Sequence, residues 1–599
     1  MTSERHQPDA SSSNTDLDQS NAEKPLDTRA EEDTVVDQPN DAEKVTEKTE
    51  GAPLDRATSQ AAKMGKNKII VVMTALCLAL FLAALDMTII STALPTIAAQ
   101  FGGSESGFSW IASSYLLANA ACIPLWGKIS DIWGRKSIIV LANVIFLVGS
   151  LICALAHNMA TIIAGRAVQG VGGGGIIILA NISVSDLFSL RDRPMYYGLF
   201  GAVWAVAGAL GPVIGGAFTT SVSWRWCFWL NLPVGGVSLG ILIIFLRIES
   251  PKTPFWAGVR CIDWAGTLLI IGGTLMFLFG LEFGGVNYPW ASPTVICLIV
   301  FGVLTWALAM IMEWKVAKFP IIPPRLFNEW YNVLILLICF CHGATFIAAT
   351  YYLPLYFQTV LQSTPIMSGV YVLPLVLSLA VGSAGTGVFM KKTGRYRELI
   401  IGGMSFMALG FGLFIDLKPY ASWPRIIIFQ LIAGIGIGPN FQAPLVAFQA
   451  NIRPSDMATA TATFGFVRQL STSMSVVLGT VIYQNIMSKQ SAKIIAAVGP
   501  KTAAIVSSSF GGASKSLVQS LSPSQREVIL GTYTHSLNRM WIFYTCMACT
   551  GLILALLIRP RELTRHHTVQ KTGLAEQERA RQERIDSERK AESKPEIEV

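Results

Sequence analysis

The sequence predicts an all-α polytopic membrane protein, and three observations predict it. Of 599 residues, 52% are hydrophobic and 14% are charged, where an ordinary soluble domain carries nearer a quarter charged residues. The apolar residues gather into runs of about 20, the length at which a helix crosses the hydrocarbon of a bilayer. The basic residues sit in the short stretches between the runs, and mostly in every second stretch. Helices satisfy their own backbone hydrogen bonds, so a series of them can cross lipid.

The elements follow in order. Residues 1–68 read as a disordered acidic cytoplasmic tail: up to residue 62 there are 15 Asp/Glu against 6 Lys/Arg, a net of −9, with almost no aromatics. Lys63, Lys66 and Lys68 mark the membrane edge. Spans are predicted at 69–94, 107–126, 137–157, 160–185, 197–218, 227–247, 263–283, 293–313, 331–354, 367–390, 399–416, 425–448, 458–484 and 540–558, fourteen in all. The first is too long for a cleavable leader and stays as a helix. Six spans fill 69–247, a middle pair fills 263–313, and six more fill 331–558. Residues 485–539 form a long external loop with a possible interfacial helix near 524–537. Residues 559–599 are a charged cytoplasmic tail with 10 Lys/Arg and 9 Asp/Glu.

Charge orients the chain. The even-numbered loops hold sixteen basic residues, among them Lys128, Arg135, Lys136, Arg191, Arg193, Lys391, Lys392 and Arg453, against Arg225, Lys418 and Arg425 in the short odd loops. The basic side faces the cytoplasm, so both termini are expected there. The net charge of +8 leaves about +16 on the membrane body once the tails are removed, in keeping with loops that face anionic lipid. Basic residues spread one loop at a time make no nucleic-acid surface. The ten cysteines lie in or beside apolar runs, and Cys546 and Cys549 form a C-x-x-C inside the last span. Packed thiols are the reading, with neither a disulfide framework, a metal site nor a cofactor indicated. No nucleophile–base pair points to an enzyme.

Four stretches carry chemistry. The first lies between spans two and three and reads Gly127, Lys128, Ile129, Ser130, Asp131, Ile132, Trp133, Gly134, Arg135, Lys136. Its glycines permit a tight turn, and Asp131 can meet the basic group. A positive-inside turn would explain the cations but neither Asp131 nor the glycine spacing. The second is Asp86, followed by Met87 and Thr88, inside the first span. An acid within lipid is costly and marks a functional site by default, although it could instead cap a helix or pair with Arg. The third is Arg166 in span four, with Gln169, Gly170 and the glycines 172–175; it must face the bundle interior, as proton handler or as a tie between helices. The fourth is Gly208, Gly211, Pro212, Gly215 and Gly216 in span five, a kink that small residues let pack closely.

These stretches resemble, at the expected order and spacing, motifs of the major facilitator superfamily. The first resembles its loop motif G-x-L-x-D-x-x-G-R-K, with Ile129 for Leu. Leu85 to Pro95 is similar to L-D-x-T-x-x-x-x-A-L-P of drug:proton antiporters. Arg166 to Gly170 resembles R-x-x-Q-G, and Ala207 to Gly216 resembles the antiporter motif G-x-x-x-G-P-x-x-G-G with Ala207 for its first Gly. The likeness covers about residues 69–558 and implies two six-helix halves around an extra pair, as in the superfamily's fourteen-span branch. It implies proton-coupled efflux of drugs, toxins or secondary metabolites, as in fungal pumps of that kind. Asp86 and Arg166 would couple the proton, and Gly127, Asp131, Gly134, Arg135 and Lys136 would latch one conformation. It also implies a monomer in the plasma membrane, the vacuolar membrane being the alternative. A proton-coupled importer of siderophores or amino acids, or a nutrient sensor, would use the same fold.

Three further features remain. Trp224 to Pro233 opens span six and looks like W-R-W-x-F-x-x-N-x-P; an aromatic interface anchor is the preferred reading. Arg468 in span thirteen is an intramembrane charge that could line a cavity. Tyr115, Trp204, Phe346, Tyr351, Phe441 and Phe464 lie near span centres and could line it too, although each alone is more often core packing.

Overall fold

The computed structural model describes residues 65–592, apart from 102–104, 247–250, 252, 286–287, 509–514, 562 and 564–572. The acidic stretch expected before residue 65 lies outside the described residues. The described chain is helical. α1 is Lys66–Gln100, α2 Glu105–Trp133, α3 Arg135–Ala154, α4 Met159–Leu187, α5 Arg193–Ser221, α6 Trp226–Trp229 and α7 Asn231–Phe245. α8 is Phe255–Cys261, α9 Trp264–Phe283, α10 Pro293–Lys315, α11 Trp330–Thr359, α12 Pro365–Tyr371, α13 Leu373–Thr393 and α14 Arg397–Phe414. α15 is Trp423–Gln449, α16 Met457–Lys489, α17 Ser491–Val498, α18 Pro500–Ser508, α19 Lys515–Ser520, α20 Pro523–Leu556 and α21 Leu574–Glu592.

A helix lies at each of the fourteen predicted spans, and twelve are long and apolar enough to cross a membrane. α2 and α16 are not among the twelve. α16 carries Thr459, Thr461, Thr463, Arg468, Ser471 and Ser475 on a largely buried surface. Its hydroxyls stay satisfied: Thr461 donates to Met457 O at 2.7 Å and Ser475 to Ala344 O of α11 at 2.6 Å.

α1 packs on α5 and α7, while α4 packs on both α2 and α3. α15 packs on α13 and α14, while α11 packs on α16 and α20. These two groups meet where α5 touches α13 and where α2 touches α16. α9 and α10 pack on each other, and α9 reaches α2 and α16. Close crossings run over glycine. A Cβ on Gly170 would stand 2.3 Å from Tyr115 O, and one on Gly172 2.4 Å from Phe146 N. Both obstacles are backbone, so Gly172→Ala must push α3 from α4, at about 2 kcal/mol. The expected result is a lower melting temperature for the detergent-purified protein, read by fluorescence; an unchanged melting temperature would show that the crossing yields freely.

Three local readings differ. Span six is broken at Leu230 into α6 and α7, and span ten starts as α12 before turning at Val372 into α13, with Pro374 in its first turn. No separate interfacial helix occupies 524–537. Ser522 and Gln525 form a capping box that starts α20 there, and the helix continues for 34 residues. Ile529, Tyr533 and Leu537 are buried, which ties this first part into the core. The loop expected at 485–539 therefore holds the end of α16, the helices α17 to α19 and the first half of α20.

Candidate functional site

The Asp86 carboxylate is fully buried in the middle of α1. It is ion-paired to Arg166 Nη1 of α4. Gln169 Nε2 donates to its Oδ1 at 2.8 Å, and Asn231 Nδ2 donates to the same oxygen at 3.0 Å. Gln169 also donates to Ser150 Oγ at 2.7 Å and accepts from Arg166 Nη1 at 2.9 Å. Arg166 Nε donates to Ile111 O at 3.2 Å, and its guanidinium lies 4.4 Å from the Tyr115 ring. Donors from α4 and α7 thus meet the α1 carboxylate directly, and α2 and α3 join the network through Ile111, Tyr115 and Ser150. A buried ion pair survives only where its spare donors and acceptors are met, and here they are. Asn231 opens α7, so the break at Leu230 sets its position. Asn231→Ala removes one of three donors, an effect of about 1.5 kcal/mol for a bond to a charged group. Any activity that depends on Asp86 is expected to fall about tenfold in a transport assay; full retention would make Asn231 a spectator.

Helix α5, with Pro212 in its interior, packs on the same turn of α1. A Cβ on Gly211 would meet Thr88 Oγ1 at 2.1 Å, and one on Gly215 would meet Ile89 O at 2.4 Å. Thr88 Oγ1 donates to Ala207 O at 3.1 Å. Gly208 has no atom within 4 Å of its Cβ position, so it takes no part in this contact. Pro212 and Gly216 face the second group of helices instead: Gly216 approaches Ile366 and Pro212 approaches Gly369.

The stretch 127–136 is mostly helix. Gly134 alone makes the turn between α2 and α3, at φ 89°, a conformation that glycine adopts without strain. Gly127 lies within α2, where its missing side chain admits Ala462 of α16; a Cβ would stand 2.6 Å from the Ala462 methyl. Arg135 is fully buried. It binds Asp131 at 2.6 Å, Asp186 at the end of α4 at 2.7 Å, and Ser130 Oγ at 2.7 Å. Lys136 Nζ donates to Ile243 O at 2.6 Å on the exposed rim. The Asp131 carbonyl accepts from the Gly573 N–H at 2.9 Å, just before α21.

At this end the two groups of helices are sealed together. Arg193 Nη1 donates to Gln449 Oε1 at 3.2 Å, and Gln449 Nε2 donates to Tyr197 Oη and to Thr461 Oγ1, each at 3.1 Å. Arg191 donates to the carbonyls of Lys391 and Lys392 at 3.1 and 2.7 Å. Gly387 sits against Pro194 O, leaving no room for a side chain.

A second cluster lies between the groups. Trp204 of α5 stands 6.2 Å from Phe441 of α15. Phe346 of α11 meets Phe441 edge-on at 5.4 Å, and His342 stacks on Phe346 at 6.2 Å. The Arg468 guanidinium lies 5.0 Å from both the Phe441 and the Phe464 rings. Of the residues expected to line a cavity, the structure gathers Trp204, Phe346, Phe441, Phe464 and Arg468. Tyr115 belongs with Arg166 instead. Tyr351 pairs with Tyr352 at 5.2 Å and is 46% exposed.

Sequence reasoning passed over Asn231, Gln449, Tyr197 and His342. Asn231 stands in the Trp224–Pro233 stretch, where the sequence alone suggests only an interface anchor. Its Trp224 is buried and donates to Gln100 Oε1 at 2.6 Å. The signal for His342 was a lone histidine within an apolar run. Among the described residues, no group of three His, Cys, Asp or Glu could hold a metal ion.

Comparison with known proteins adds the following. Residues 76–476 match the family described as Major Facilitator Superfamily. The chain is 51% identical over 512 residues to the efflux pump dotC of Dothistroma septosporum, covering 86% of this chain and 88% of that one. It is 48% identical to the MFS-type transporter ppz2 of Metarhizium majus, with 90% and 93% covered. It is 36% identical to the efflux pump FUS6 of Gibberella fujikuroi, with 82% and 88% covered. Among solved structures, the human organic anion transporter MFSD10 superposes with a TM-score of 0.53 at 14% identity, covering 81% of this chain and 99% of that one. The proton:xylose symporter XylE does so at 0.51 and 13%, with 84% and 99% covered.

Proposed function

The chain belongs to the major facilitator superfamily, and from that premise we propose that it exports small organic molecules in exchange for protons. It is a multi-pass membrane protein, and such transporters carry small molecules across membranes. The observation that carries the proposal is the burial of Asp86 with Arg166, Gln169 and Asn231, beside the glycine contacts of α5. A proton taken up by Asp86 cancels its charge and frees Arg166, which keeps only Gln169, Ile111 O and the Tyr115 ring. The contacts of Thr88, Gly211 and Gly215 transmit that change to α5, which touches the second group of helices through Pro212 and Gly216. A local proton event thereby reaches the seam on which alternating access turns.

Fourteen crossings, cytoplasmic termini, a monomeric pump and the plasma membrane complete the proposal. On that orientation the seal of Arg193, Gln449 and Arg135 lies on the cytoplasmic side, so the described conformation is closed to the cytoplasm. The names of the relatives that are efflux pumps favour drugs, toxins or secondary metabolites as cargo. The test is purified protein in liposomes with an imposed pH gradient and a panel of lipophilic fluorescent compounds. Compound movement against the proton supports export by exchange. Movement with the proton would replace it by import.

A further inference from the structure

The arginines of the helical body are met in different ways. Arg193 is buried at the sealed end against neutral acceptors, Phe188 O, Ser185 O and Gln449 Oε1. Arg135 is held by Asp131 and Asp186, and Arg166 by Asp86. Arg468 forms no ion pair among the described residues. Its Nη2 donates to Phe441 O at 2.5 Å, its Nε has no hydrogen-bond partner, and the residue is only partly buried. Phe441 and Phe464 present their rings to it, which offsets part of the cost of a cation in a low-dielectric interior. Beside it, His342 Nε2 stands 3.2 Å from Ile437 O, while His342 Nδ1 is buried with no partner. With Nε2 donating to that carbonyl, Nδ1 is left as an acceptor. The other acids that reach toward the interior are engaged elsewhere: Glu282 accepts from Ser113 Oγ at 2.7 Å and Glu313 from Ile321 N at 3.0 Å.

The cluster thus has one unmatched positive charge, an unfilled acceptor and flat apolar walls from both groups of helices. We propose that it binds aromatic molecules bearing a negative charge, a carboxylate or an ionised phenol. Arg468 holds the anionic group, and the rings of Trp204, Phe346 and Phe441 take the aromatic frame. The inference rests on the export reading, in which this seam is where cargo sits. A guanidinium meets such an oxyanion with two donors at once, and Arg468 has donor positions to spare.

The experiment measures equilibrium binding without a gradient, so it is separate from the transport test. Full-length protein in nanodiscs is titrated with 1-pyrenecarboxylate and with its neutral carboxamide. The acid is expected to bind about tenfold tighter than the amide. Arg468→Gln is expected to bring that ratio near one, and Arg468→Lys to keep part of it, since lysine retains the charge but not the paired donors. The melting temperature of each variant is recorded to establish that it is folded. Equal affinities in the wild type, or a ratio that survives Arg468→Gln, would overturn the inference. So would failure of the acid to bind at all. If the acid binds as expected but no compound moves under a pH gradient, the export reading falls and the anion site stands.

Discussion

Asp86→Asn is expected to reduce gradient-driven transport by about a hundredfold or more. The substitution keeps size and shape and removes the one property the proposal needs, a proton that comes and goes. It also puts an amide nitrogen in place of one carboxylate oxygen, so that it faces the donor of either Arg166 or the pair Gln169 and Asn231. Arg166 is then a buried cation without its counter-charge, and such a change costs about 4 kcal/mol. The melting temperature should therefore fall as well, and loss of transport alone would be ambiguous. The discriminating readout is exchange of labelled for unlabelled cargo with no pH gradient. Exchange that persists while gradient-driven accumulation is lost assigns Asp86 to coupling. Undiminished gradient-driven transport in the variant would remove Asp86 from that role.

The second large effect is expected from Arg135→Ala. Arg135 is clamped between Asp131 and Asp186, and through them joins the ends of α2 and α4 beside the seal. Removing it leaves two buried carboxylates facing each other, again worth about 4 kcal/mol. The strain falls on the closed arrangement, because Gly127 of α2 seats on Ala462 and Arg193 of α5 on Gln449. The population should move toward the state open at this end. Hydrogen–deuterium exchange in the segments 187–197 and 449–461 should rise, and Arg135→Lys should restore protection only in part, since lysine lacks the planar fork. Unchanged exchange in both variants would mean that the clamp supports α2 and α4 without setting the conformation.

How much of this was legible depended on distance along the chain. The positions of the fourteen apolar helices were readable, because a run of apolar residues is a local signal that lipid enforces. Asp86, Arg166, Arg135 and Pro212 were readable for the same reason: charge, proline and glycine stand out in an apolar run. What escaped was partnership. Asn231 lies 145 residues from Asp86, and Gln449 lies 256 residues from Arg193. Neutral polar residues such as these cost little in a span and look unremarkable until the fold joins them. Gly127 is legible as a glycine and suggests a turn, whereas its use is the approach of another helix. The early start of α20 was missed because the Ser522–Gln525 cap is polar and the helix behind it becomes apolar only later.

The solitary charge of Arg468 has an electrical consequence. If the cargo is an anion, sending it out while a proton comes in moves two charges in the same direction in each cycle. Each charge is worth about 2.3 kcal/mol per 100 mV of membrane potential, so the pair is worth about 4.6 kcal/mol before any pH difference is counted. At about 1.4 kcal/mol per decade of concentration, voltage alone sustains an outside-to-inside ratio of about a thousandfold. An exporter built this way runs on the membrane potential and works even where the two sides have equal pH, whereas one moving a neutral cargo has half that drive.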